Sequence, residues 1–81
     1  MPYITYILYC ADHNRFYKGH CEKLEERLNQ HNHGHTPSTK PYIPWKLVYF
    51  EEFEKRIDAV NREKYFKSAA GRRFLKKKIM L

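Results

Sequence analysis

The chain has 81 residues, 42% hydrophobic and 16% aromatic, enough apolar material for one small core and too little chain for two domains. Sixteen Lys and Arg against nine Asp and Glu leave a formal net charge of +7, which favours a polyanionic partner such as nucleic acid or an anionic membrane surface without choosing between them. No stretch approaches the ~20 apolar residues of a bilayer span and no basic segment leads into an apolar one, so a single cytoplasmic domain over residues 1–81 with no membrane partner is expected.

Residues 3–10, Tyr-Ile-Thr-Tyr-Ile-Leu-Tyr-Cys, are nearly all β-branched, aromatic or aliphatic, the pattern of a central strand covered on both faces. The polar cluster Asp12-His13-Asn14 predicts a turn, and Arg15 to Cys21 a second strand that closes a hairpin. With a two-residue turn at His13-Asn14, Tyr6 and Tyr17 fall on one sheet face. The same register separates Cys10 from Cys21, and neither lies in a metal-finger spacing, so both are read as reduced thiols. Gly19 inside the second strand marks a bulge or a close backbone approach.

Helical spacing takes over across residues 22–33, with Leu24 and Leu28 one turn apart, acidic residues near the start and an end near Gly34. His35 to Pro44 holds three prolines and reads as a loop. Trp45 to Phe53 returns to strand character, Glu54 to about Ser68 to helix with Ile57, Val60 and Phe66 as its apolar positions, and Ala69-Ala70-Gly71 reads as a break. Residues 72–79 form a short basic helix able to dock through Phe74, Leu75 and Ile79. The order is β-β-α-β-α-α, an α+β fold on a small sheet.

Both longer helices carry polar residues where packing calls for apolar ones. Leu24, Arg27, Leu28 and His31 fall within an arc of about 100°. Arg27 either enters a cavity or extends past the edge of the stripe, and His31 either joins it or merely ends the helix. On the later helix Glu63 lies within about 60° of Ala59, Val60 and Phe66. An ion pair with Arg27 and a catalytic carboxylate are the two readings of that position.

These residues together resemble the GIY-YIG nuclease superfamily, in particular small single-domain members similar to the N-terminal nuclease domain of bacterial excision-repair endonucleases. The first signature triplet stands as Ile4-Thr5-Tyr6 and the second as Tyr17-Lys18-Gly19. Arg27, His31 and Glu63 within Asn-Arg-Glu-Lys continue the pattern, as do Ser38-Thr39-Lys40 and Pro44 to Tyr49. The resemblance implies a three-stranded antiparallel sheet flanked by helices, and an endonuclease that hydrolyses DNA phosphodiester bonds with one Mg²⁺ or Mn²⁺ ion. Branched, damaged or single-stranded DNA in repair or processing is the implied substrate, with RNA left open.

In that reading Glu63 is the metal ligand, a hard oxygen donor that leaves room for water and phosphate. Arg27 meets the phosphate oxygens, and Tyr6 and Tyr17 line the attack side, with Tyr6 favoured as the activator of water. His31 is the proton acceptor or holds a tyrosine in place, and His20 stands where the repair nucleases carry lysine. Lys18, His20, Lys40, Arg62, Lys67 and Arg72 are the expected nucleic-acid contacts, within a wider basic set that includes Lys46, Lys64, Arg73 and Lys76 to Lys78. The alternative function is a nucleic-acid-binding module of the same fold that does not cleave.

Overall fold

The computed structural model describes residues 2–79. Its elements are β1 (Tyr3–Cys10), β2 (Arg15–Cys21), α1 (Leu24–Asn32), β3 (Lys46–Phe53), α2 (Arg56–Lys67) and α3 (Ala69–Ile79). The strands form one antiparallel sheet in the order β2-β1-β3, so the most apolar strand is indeed central. Alternation along β1 then feeds two cores. Ile4, Tyr6, Leu8 and Cys10 pack with Cys21, Trp45 and the α1 leucines Leu24 and Leu28. Ile7, on the other face, packs with Phe66 of α2 and Leu75 of α3. Among the described residues no helix is long and apolar enough to cross a membrane.

The hairpin turn is longer than the sequence predicts. Cys10 lies opposite Arg15, and Ala11 to Asn14 make a four-residue turn in which the Asn14 N–H donates to the Ala11 carbonyl at 3.3 Å. Asn14 takes φ 49°, a left-handed conformation that asparagine tolerates better than most residues. The register therefore moves by an even number of residues, which leaves Tyr6 and Tyr17 on the same face.

Helix α1 starts at Leu24 rather than Glu22. Its end is fixed by Gly34 at φ 76°, with the Gly34 N–H donating to His31 O at 3.2 Å and the His35 N–H to Gln30 O at 3.0 Å. These two bonds make a Schellman motif, which requires a residue content with positive φ. The loop that follows is not wholly irregular, because Lys40–Tyr42 form a turn of 3₁₀-helix. Asn32 pins its far end by accepting from Trp45 N–H at 2.6 Å and donating to Trp45 O at 3.0 Å.

Two expectations about α2 and α3 are corrected. The break falls at Ser68, not at Ala69-Ala70-Gly71: Ser68 adopts ψ 165°, its hydroxyl donates to Tyr65 O at 2.5 Å and accepts the Gly71 N–H at 3.1 Å. One serine thus ends α2 and caps α3. Gly71 is a packing residue inside α3, where a Cβ would lie 1.8 Å from Tyr65 O. Ile57, expected inside, is 58% exposed, and the inward face of α2 is carried by Ala59 and Phe66.

Candidate functional site

Tyr6 and Tyr17 meet over Gly19. Their ring centroids are 6.2 Å apart, and a Cβ on Gly19 would come within 2.7 Å of Tyr6 Oη and 2.9 Å of Tyr17 Cε2. The glycine marks a close approach, one of its two expected meanings, while the irregular register lies between β1 and β3 at Ile7/Leu8. His31, 0% exposed, reaches this pair from α1, with its ring centroid 4.8 Å from Tyr17 and 6.0 Å from Tyr6. It does more than end a helix.

The buried polar groups are joined in series. Tyr6 Oη lies 2.9 Å from His31 Nε2, and His31 Nδ1 lies 2.8 Å from Thr39 Oγ1. Thr39 donates its own hydroxyl proton to Thr36 O at 3.3 Å, so its oxygen must accept from His31 Nδ1–H. That assignment leaves Nε2 as an acceptor and makes Tyr6 the donor. Burial, and then the Arg27 charge, lowers the His31 pKa, so the ring is neutral near pH 7. Burial first, then Tyr17 and Cys21, pushes the Tyr6 phenol far above its ordinary value, with Arg27 opposing and Glu63 adding to the rise. Thr39 is a site residue that sequence reasoning noted only as part of a tripeptide. Its role depends on a loop folding back onto α1, where Trp45 Nε1 donates to Thr39 O at 2.9 Å.

Arg27 is exposed, at the rim of its stripe rather than in the core. It lines a polar cleft of about 280 Å³ with His20, Cys21, Glu26 and Gln30. Its charge is felt at Tyr6, Cys21 and His31. Among the described residues it makes no ion pair, so the pairing with Glu63, one of the two readings of that position, does not occur.

Glu63 is held from the other face of the sheet. His20 pairs across the strands with Thr5 and therefore faces α2, where its Nδ1–H donates to Glu63 Oε1 at 2.7 Å. Lys67, one turn along α2, donates to Oε2 at 2.9 Å. Burial would raise the Glu63 pKa, but these two bonds win and lower it, so the carboxylate is ionised near neutrality. Thr5 ties α2 to the sheet through a 2.8 Å bond to Ala59 O. The structure thus gathers Tyr6, Tyr17 and His31 tightly, sets Arg27 at their rim, and holds Glu63 on the α2 face of the sheet against His20 of β2.

As to a cation, Glu63 is a hard, ionised donor of the kind Mg²⁺ accepts when water and substrate phosphate supply the rest of its shell. Both its oxygens are already bonded, however, and no group of three or more His, Cys, Asp or Glu side chains able to hold a metal exists among the described residues. Glu63 fits as a single-carboxylate ligand, since each oxygen accepts one hydrogen bond and keeps a further lone pair for a cation.

The expected nucleic-acid contacts separate into groups. Lys18 is half-buried and lines one groove with Arg72, and burial, then Arg72, then Lys67 lower its pKa. Lys40 is exposed at the start of the 3₁₀ turn. Arg62 points toward the β3 edge, donating to Glu51 at 2.7 and 3.2 Å while its guanidinium stands 4.8 to 4.9 Å from the ring centroids of Tyr65, Phe66 and Phe74.

Residues 2–78 match the family model described as the GIY-YIG catalytic domain. The chain belongs to the GIY-YIG family. It is 39% identical to a UPF0213 protein of Limosilactobacillus reuteri, over 98% of this chain and 82% of that one. A UPF0213 protein of Clostridium perfringens is 44% identical over 83% of this chain and 71% of its own length. The solution structure of a UPF0213 protein from Bacillus halodurans superposes with a TM-score of 0.57 at 26% identity, covering 95% of this chain and 84% of that one. These likenesses give this GIY-YIG domain UPF0213 relatives, and lend no specific support to the narrower resemblance to excision-repair endonucleases.

Proposed function

We propose that this GIY-YIG domain is a nucleic-acid-binding module, with DNA as the partner expected from the family. The observation that carries this reading is that Lys18, Arg72 and Lys76 line one groove between β2 and α3 and lack ion-pair partners among the described residues. Crowded, unneutralised cations gain from a phosphate backbone, because binding releases its condensed counterions. Binding is put before cleavage because it needs only these cations, whereas cleavage also needs a cation at Glu63, and no group of three or more metal-ligating side chains stands beside that carboxylate among the described residues.

A second reading, phosphodiester hydrolysis, is favoured by one specific feature, the ordered Tyr6–His31–Thr39 series. There Glu63 would hold one Mg²⁺ or Mn²⁺ ion, which supplies positive charge at the phosphate when bound. Tyr6 would pass its proton to His31 Nε2 as its oxygen receives one from water, Thr39 would keep His31 in the accepting tautomer, and Arg27 would meet the phosphate oxygens. The test is a titration of labelled single-stranded, duplex and branched DNA, without and with Mg²⁺ or Mn²⁺, followed by analysis of strand length. The binding reading expects salt-sensitive complexes and intact strands throughout. Metal-dependent scission that Glu63→Ala abolishes replaces it with the second reading, and no complex with any substrate at low salt overturns both.

A further inference from the structure

Around Lys18 and Arg72, β2 and α3 enclose a groove of about 240 Å³ lined by Phe16, Lys18, Arg72, Leu75, Lys76 and Ile79. Its character is divided. Phe16, Leu75 and Ile79 give it an apolar wall, and Lys18, Arg72 and Lys76 give it a cationic rim. Phe16 is 40% exposed. It is not loose, since Tyr9 faces it across the strands with ring centroids 4.7 Å apart, and Tyr9 is itself anchored to Asn14 at 3.2 Å. The groove therefore has a rigid aromatic edge that nothing within the described fold covers.

An apolar partner alone would have no use for the rim, and a bare polyanion no use for the wall. A nucleotide satisfies both, because the base has a flat face and the phosphates on either side carry charge. The volume lies below the ~300 Å³ at which pockets for drug-sized ligands begin, which suits a single ring system. Lys67, whose charge is felt at Lys18 and which bonds Glu63 at 2.9 Å, links the rim to the candidate site.

We propose that this groove receives one unpaired nucleobase, stacked on Phe16, with its flanking phosphates on Lys18, Arg72 and Lys76. The proposal rests on the nucleic-acid-binding reading and deepens it. A base held here must be out of a duplex, so single strands, gaps or junctions are favoured over continuous double helix.

The experiment compares two fluorescent strands of equal length and charge, a thymidine oligomer and an abasic oligomer, by anisotropy at low salt. The base-bearing strand is expected to bind about tenfold more tightly, in keeping with the usual strength of base–aromatic stacking. Phe16→Ala, at a partly exposed position, should erase that difference and leave abasic binding unchanged, while Phe16→Trp should preserve it. Equal affinity of the parent for the two strands, with salt-sensitive binding intact, overturns the groove assignment and leaves the nucleic-acid reading standing. An equal loss for both strands in Phe16→Ala overturns it as well. Failure of either strand to bind removes the proposal together with the reading beneath it.

Discussion

On the α1 face of the sheet, Tyr6, His31 and Thr39 are buried and bonded in a fixed order, whereas on the α2 face Glu63, His20 and Lys67 are charged or chargeable and reach solvent. The first arrangement gains from low dielectric and forfeits adjustability, since each group removed leaves another unsatisfied. The second is screened by water, contributes less to folding and is free to exchange partners. Stability and function are therefore expected to respond to different faces. Substitutions on the α1 face should change folding first, and those on the charged part of the α2 face should change binding first.

The largest effect expected is structural and bounds that comparison. Gly71→Ala drives a methyl group into Tyr65 O at 1.8 Å and Phe66 Cα at 2.6 Å, so α2 and α3 must part, at a cost of about 3 kcal/mol or more. Urea denaturation measures this, and an unchanged midpoint would contradict the packing described at Ser68.

His31→Ala comes next. It opens a cavity and strands the hydroxyl of Tyr6, for a loss of about 3 kcal/mol by the same measurement. A mild effect would mean the α1 face is not the structural one.

The pH dependence is smaller and separates the faces. His31 has a folded pKa below its ordinary 6.5, so protons favour the unfolded chain. Its contribution is complete above 6.5 and should decline as the pH falls below that value toward the folded pKa. Glu51 and Glu63, lowered from 4.5, contribute stability that persists above 4.5 and is lost below it as they protonate. His31→Asn should abolish the first decline in melting temperature and spare the second.

Glu63→Gln should have the least effect on folding. It removes the negative charge beside Lys67 and His20 and should raise DNA affinity several-fold at low salt. A fall in affinity would instead make Glu63 a positive contributor to the complex.

Much of the fold was legible because the hydrophobic period changes clearly between elements. The β-β-α-β-α-α order, the central place of β1, and the shared face of Tyr6 and Tyr17 followed from alternation. What failed depended on contacts distant in sequence. Gly71 has the composition of a helix breaker, and only the approach of α2 explains its place inside α3. Ile57 sits on the nominal apolar side of α2, but too near its start to be covered. Periodicity singled out His31 and Glu63, yet it suggested Arg27 as the mate of Glu63, because a helical wheel does not show that His20 on the edge strand is nearer. Thr39 stood only within the tripeptide Ser38-Thr39-Lys40 and without a role, since loop residues gain partners only when the loop closes.

The central claim is that the β2–α3 side binds a phosphate backbone, and salt-dependent affinity for a short DNA strand tests it most directly. The account predicts binding that weakens steeply with salt, with a log–log slope lowered by about 0.7 for each single-strand phosphate contact removed in Lys18→Gln and Arg72→Gln, and by about twice that in the double variant. No binding at low salt, or a slope that the double variant leaves unchanged, would contradict it.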